Sequence, residues 1–350
     1  MVFLSMELWS SSSIIVFFLS VFIILCTTEA LVKLPRNETV PAVLVFGDSI
    51  VDPGNNNNLN TLVKSNFPPY GRDLMGGVPT GRFSNGKIPS DFIAEALGIK
   101  ELVPPYSNAA LQLGDLLTGV SFASSGSGFD PMTPKLAKFQ YDVPAYTDLM
   151  ATSAASFLKV ILIAMQNPGI IHALPFPTHR IPFLYSIKQI EGIAWIGSTQ
   201  NSCYQCTSIG VSAITEKLSR RTQRECAEGH NEAAKLFNFK LSSRLDSLNA
   251  NFPQAKFVYV DIYKPLLDLI QTLKNQVIPL MGIGKTWFEV VDKGCCGSGT
   301  IEVAVLCNQL SPFTCEDAST YVFWDSYHPT ERAYKVIIDE IIQKCVDSLI

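Results

Sequence analysis

A serine, an aspartate and a histidine with spacing suited to hydrolytic chemistry stand at opposite ends of this chain. Phe46-Gly47-Asp48-Ser49 lies near the N-terminus and Asp325-Ser326-Tyr327-His328 near the C-terminus. With Asp and His only three residues apart, one short loop or helical turn can present carboxylate and imidazole to a single cleft. The imidazole then takes the Ser49 proton, while the carboxylate fixes its tautomer and stabilises the imidazolium that forms. Each piece also has a plainer reading. Gly-Asp-Ser is a common turn, and an aspartate such as Asp325 equally suits a helix start.

These residues need elements to position them. The apolar stretch from Pro41 to Phe46 reads as a short buried strand, and Gly47-Asp48-Ser49 as the turn at its C-terminal edge, where open α/β sheets place their sites. Asp52-Pro53-Gly54 and the four asparagines after it read as a loop, in which Asp52 and Asn55 to Asn57 brace the serine turn. Gly81 to Lys87 is a second loop, leading into an amphipathic helix from Pro89 to Leu97 with Phe92, Ile93, Ala96 and Leu97 on one face. Gly119 to Gly126 reads as a strand and then a glycine-rich turn. Helical periodicity marks Arg224 to Asn249, Pro265 to Leu273 and Tyr334 to Ile350, with Lys256 to Val260 as a strand between the first two. Strands alternating with helices predict an α/β fold, a mostly parallel sheet covered on both faces.

Residues 1–30 read as a secretory signal: an apolar run from Ile14 to Cys26, then small residues at Thr28 and Ala30 for cleavage. The run is shorter than the ~20 residues of a spanning helix, so no stable membrane insertion is expected after cleavage. Residues 31–350 are expected to form one domain, since no low-complexity linker divides them. A net charge of −4 without a basic stripe argues against a nucleic-acid partner. Of nine cysteines, Cys26 lies in the signal, leaving Cys203, Cys206, Cys226, Cys295, Cys296, Cys307, Cys315 and Cys345. An even number in a secreted chain favours disulfides of open connectivity, and the lack of matching histidines argues against zinc. Asn37-Glu38-Thr39 is a glycosylation sequon.

Five segments carry a resemblance. Phe46 to Asn57 (FGDSIVDPGNNN), Gly81 to Lys87 (GRFSNGK), Gly119 to Asp130 (GVSFASSGSGFD), Lys293 to Gly299 (KGCCGSG) and Phe323 to Thr330 (FWDSYHPT) resemble the plant GDSL esterase/lipase family, a branch of the SGNH hydrolases. The likeness is greatest to its extracellular lipase-like group. The resemblance implies a three-layer α/β fold with Ser49 as nucleophile, Asp325 and His328 as its partners, and the backbone N–H groups of Ser49 and Gly126 as oxyanion donors. It further implies a secreted, monomeric hydrolase of small-molecule or lipid esters, placed in the cell wall or apoplast and working through an acyl-enzyme without metal or organic cofactor.

The chain also departs from that pattern. The family's G-x-N-D element, whose side chain supplies another oxyanion donor, is missing: Phe129 to Ala137 resembles the sequence before it, and Lys138 to Leu149 the sequence well after it. Residues 138–220 and 272–287 are atypical, and part of the central sheet is expected to be deleted or replaced. Asn167 and Asn201 are the nearest substitute donors. Loss of one oxyanion donor costs roughly 100- to 1000-fold in turnover. The expectation is therefore an impaired ester hydrolase, with a catalytically inactive relative or an aberrantly spliced product as the alternative.

Overall fold

A computed structural model describes residues 40, 42–127, 228–251, 258–274 and 288–349. The expected signal, the Asn37 sequon, Asn167, Asn201, the atypical stretch 138–220 and most of 272–287 lie outside those residues.

Helix α1 spans Pro89–Ala96, matching the expected amphipathic segment. Pro89 suits the first helical position, and the Asp91 carboxylate accepts the N–H of Ile88 just before it. Helix α2, Leu113–Thr118, was not anticipated; it is a short turn whose Asp115 accepts the Gln112 N–H. Helices α3 (Glu228–Asn251) and α4 (Tyr263–Lys274) fall where periodicity put them. Helix α5, Glu331–Leu349, begins before the expected Tyr334. Thr330 Oγ1 accepts the Ala333 N–H and Asn85 Oδ1 accepts the Glu331 N–H, so side chains satisfy the first turn.

Two strands missed in the sequence form a parallel pair, β1 (Val290–Gly294) with β2 (Tyr321–Phe323). Residues 42–46 of the first expected strand and the start of the 119–126 segment are extended and run parallel, and a turn follows at 125–126 as expected. Val43 and Val45 donate to the Thr118 and Val120 carbonyls, and Phe122 donates back to Val45. They form isolated bridges, Val45 to Ser121 and Pro105 to Ser121, instead of a continuous ladder. On the second side the neighbours are Pro104 and Pro105, which have no N–H to donate. Residues 258–260, expected in a strand, join no ladder among the described residues. Helices with parallel pairing make the fold α/β.

One core lies between α5, α1, α4 and the strand pair. The buried face of α5 carries Ala333, Ile337, Ile338, Ile341 and Val346, which pack with Phe92, Leu266, Ile270 and Val322. A second cluster joins Tyr70, Phe83 and Trp324 to Cys295, Cys296 and Cys307. Two disulfides, Cys295–Cys315 and Cys296–Cys307, close the segment between β1 and β2, while Cys345 is a free thiol. Cys203, Cys206 and Cys226 lie outside the described residues.

The loop 81–87 is tied to α1 by a buried ion pair. Arg82 donates to both Asp91 carboxylate oxygens at 2.8 Å, with the side chains 3% and 0% exposed. Asp91 also accepts the Val103 N–H, and Arg82 donates to the Val103 carbonyl. Removing one partner of such a pair strands a buried charge, at a cost of about 3–5 kcal/mol. Asp91→Asn is therefore expected to lower the urea midpoint by that much stability or to prevent folding, and an unchanged midpoint contradicts this account.

Candidate active site

Ser49 follows the extended segment 42–46 on a tight turn, in which Asp48 accepts the Ile50 and Val51 N–H groups through its side chain and carbonyl. The turn is bolted to the glycine-rich turn at 124–127. Ser124 N–H and Ser127 Oγ both donate to the Gly47 carbonyl. Asp52 Oδ2 accepts the backbone N–H and the hydroxyl of Ser125, while its Oδ1 accepts the Gly54 and Asn55 N–H groups. Asn55 Nδ2 donates to the Ser121 and Ala123 carbonyls, and Asn56 Nδ2 to that of Ser125. The bracing role expected of Asp52, Asn55 and Asn56 is what the contacts provide. Asn57 instead ties the loop to Thr80.

Asp325 and His328 sit on the loop between β2 and α5. The loop is closed by the Trp324 N–H on the His328 carbonyl and the Thr330 N–H on the Val322 carbonyl. Within it, Asp325 Oδ1 accepts the Tyr327 and His328 N–H groups, each at 2.7 Å, so that aspartate and imidazole face one another. The KGCCGSG segment anchors the loop from outside: Cys295 and Cys296 donate to the Phe323 and Trp324 carbonyls. A Cβ on Gly294 would collide with the Asp325 carbonyl, so only glycine permits that approach.

The two ends of the chain meet here. His328 Nε2 lies 2.8 Å from Ser49 Oγ, and His328 Nδ1 lies 2.8 and 3.0 Å from the Asp325 oxygens. Asp325 is fully buried, His328 is 2% exposed, and Ser49 is half-buried. Phe83 packs on the imidazole at 4.9 Å between ring centroids, and Tyr327 meets it edge-on at 5.0 Å. Sequence reading missed Tyr70, whose hydroxyl donates to Asp325 Oδ2 at 2.7 Å. Burial and the adjacent carboxylate push the Tyr70 phenol well above its ordinary range, which keeps it a proton donor. The available hint was an aromatic after Pro68-Pro69, too weak to point at a partner 255 residues away.

Gly126 has φ +84°, a conformation that suits glycine, on the turn bonded to the serine segment. Neither its N–H nor that of Ser49 donates to another group among the described residues. Two such donors can serve a developing oxyanion. No group of three His, Cys, Asp or Glu side chains among the described residues could hold a metal ion, and no described helix is long and apolar enough to cross a membrane.

Comparison with known proteins gives one consistent result. A family model described as GDSL-like Lipase/Acylhydrolase matches residues 43–341. GDSL esterase/lipase EXL3 of Arabidopsis thaliana is 41% identical over 365 aligned positions, covering 98% of this chain and 97% of the relative. A second GDSL esterase/lipase of that organism is 38% identical, covering 91% of this chain and 89% of its own length.

Asp48, next to Ser49, carries a buried carboxyl. Burial pushes it up to about 6, against the Ile50 N–H bond and the nearby His328, while Asp52 adds to the upward push. Between the ordinary carboxylate value near 4 and this value, the folded chain binds more proton than the unfolded one. The stabilisation is thus complete below about pH 4 and is lost as pH rises through about 6, by at most about 3 kcal/mol. Asp48→Asn keeps an acceptor for Ile50 without the charge. It is expected to match the wild-type chain in denaturant stability at pH 4 and exceed it at pH 8; an equal difference at both pH values contradicts this.

Proposed function

This chain belongs to the GDSL lipase/acylhydrolase family, and from that premise we propose that it is a secreted ester hydrolase working through Ser49, His328 and Asp325. Membership makes it a carboxylic ester hydrolase; the residue roles, export and substrate are our reading. What carries the reading is the continuous path from Ser49 Oγ through the imidazole to a buried carboxylate, at 2.8 Å for each link. With the Nδ1 proton on the Asp325 side, Nε2 is the acceptor for the Ser49 proton.

Ser49 Oγ attacks the ester carbonyl as His328 takes its proton, and the Ser49 and Gly126 N–H groups receive the charge that develops on oxygen. His328 returns the proton to the departing alcohol, leaving an acyl-enzyme on Ser49. A water deprotonated by His328 then attacks the acyl carbon, and the acid leaves as the serine regains its proton. The substrate is a small-molecule or lipid ester, and neither metal nor organic cofactor enters any step. Residues 31–350 act as one monomeric domain after removal of residues 1–30, in the cell wall or apoplast. Its sheet is the centre of a three-layer fold in which the stretch around 138–220 departs from the family.

The missing G-x-N-D element favours a second reading, an inactive or aberrantly spliced relative. Without that side-chain donor, turnover falls roughly 100- to 1000-fold below that of a full oxyanion site but does not vanish. The purified chain is expected to hydrolyse a short-chain chromogenic ester slowly, with Ser49→Ala reduced to the uncatalysed background. Equal rates for the two proteins would leave the inactive reading standing.

A further inference from the structure

Tyr70 is buried completely, and both directions of its hydroxyl are spoken for. Its oxygen accepts the Ala304 N–H at 2.9 Å, which turns its one proton toward Asp325 Oδ2 at 2.7 Å. The aspartate is asymmetric as a result. Backbone N–H groups of Tyr327 and His328 hold Oδ1, whereas Oδ2, the oxygen nearer to Nδ1, has Tyr70 as its other donor.

The partner of the Tyr70 oxygen is equally constrained. Ala304 has φ +49°, a left-handed conformation that costs a non-glycine residue energy, in a segment closed by Cys296–Cys307 and Cys295–Cys315. The Glu302 carbonyl of the same segment accepts the Ser326 N–H, so the disulfide-closed loop grips the Asp325–His328 loop directly and through Tyr70.

We propose that Tyr70 is a positioning residue for ester hydrolysis, orienting Asp325 and drawing charge from its Oδ2 so that the carboxylate pulls less strongly on the imidazole proton. The proposal rests on the assignment of Ser49, His328 and Asp325 given above. A carboxylate relieved of this donor stabilises the imidazolium more, so the histidine takes up its proton at higher pH and acts less often as a base. Among the described residues, Asp48 and Tyr327 are further titratable neighbours of His328, and substitution at position 70 leaves both in place.

The test compares wild type, Tyr70→Phe and Ser49→Ala across pH on a short-chain chromogenic ester. Active sites are counted with a fluorophosphonate, and His328 is titrated by NMR, its signal identified by its absence in His328→Asn. Tyr70→Phe is expected to lower kcat about tenfold per counted site at unchanged KM. The acid limb of kcat/KM and the His328 titration should both move about half a unit or more to higher pH. A loss explained entirely by fewer active sites, with profile and titration unmoved, overturns the proposal and leaves Tyr70 a packing residue. If Tyr70→Phe does not fold, difluorotyrosine placed at position 70 keeps ring and hydroxyl. As a stronger donor it should move the His328 titration to lower pH, and no movement overturns the proposal. Ser49→Ala matching wild type in rate would instead remove the hydrolase reading, and the histidine titration, which needs no turnover, still decides the Tyr70–Asp325 coupling.

Discussion

A carboxylate with no exposure to water is the constraint around which the C-terminal half of the site is built. Burying an unpaired charge costs several kcal/mol, so the fold must surround Asp325 with donors. It does so with two backbone N–H groups from its own loop, the Tyr70 hydroxyl and the imidazole. Each donor has to be held in turn. Tyr70 is fixed by the Ala304 N–H and by edge-on contacts with Phe67, Phe83 and Trp324. The loop is fixed by β1, by the disulfide-closed segment and by the capped start of α5.

The serine side solves a different problem. Its turn follows an extended segment with few ladder bonds, so side chains supply the rigidity. Asp52, Asn55 and Asn56 reach across to Ser121, Ala123 and Ser125, and thereby set the serine turn and the Gly126 turn relative to one another. The roles proposed for Ser49 and Gly126, nucleophile and oxyanion donor, need that mutual placement more than either needs regular secondary structure. Between the two halves, residues 70–91 serve as the bridge: Tyr70 touches the aspartate, Phe83 the histidine, and Arg82 with Asp91 fixes the loop to α1.

What could be read in the sequence was whatever depends on local pattern. Helices α1, α3, α4 and α5 declared themselves by apolar spacing, and Ser49, Asp325 and His328 by short motifs. The start of α5 was misjudged because its cap comes from Thr330 and from Asn85, a residue far away in sequence. Strand β1 runs into the Cys-Cys-Gly segment and β2 is only three residues long, so neither shows a clear alternation. Tyr70 and the pairing of Cys295 with Cys315 were invisible for the same reason: each is defined by a partner that only the folded chain brings near. GRFSNGK looked like a loop and is one, but its arginine and phenylalanine work through α1 and the imidazole.

Activation of Ser49 by His328 is the proposal on which the other roles rest. Mass spectrometry of the intact chain after exposure to a fluorophosphonate tests it most directly, because serine phosphonylation needs the nucleophile and its base but not a complete ester-turnover cycle. One adduct per chain is expected, mapped to Ser49, forming more slowly as pH falls and absent in His328→Asn. An adduct on another residue, or labelling of Ser49 at the same rate in His328→Asn, would contradict it.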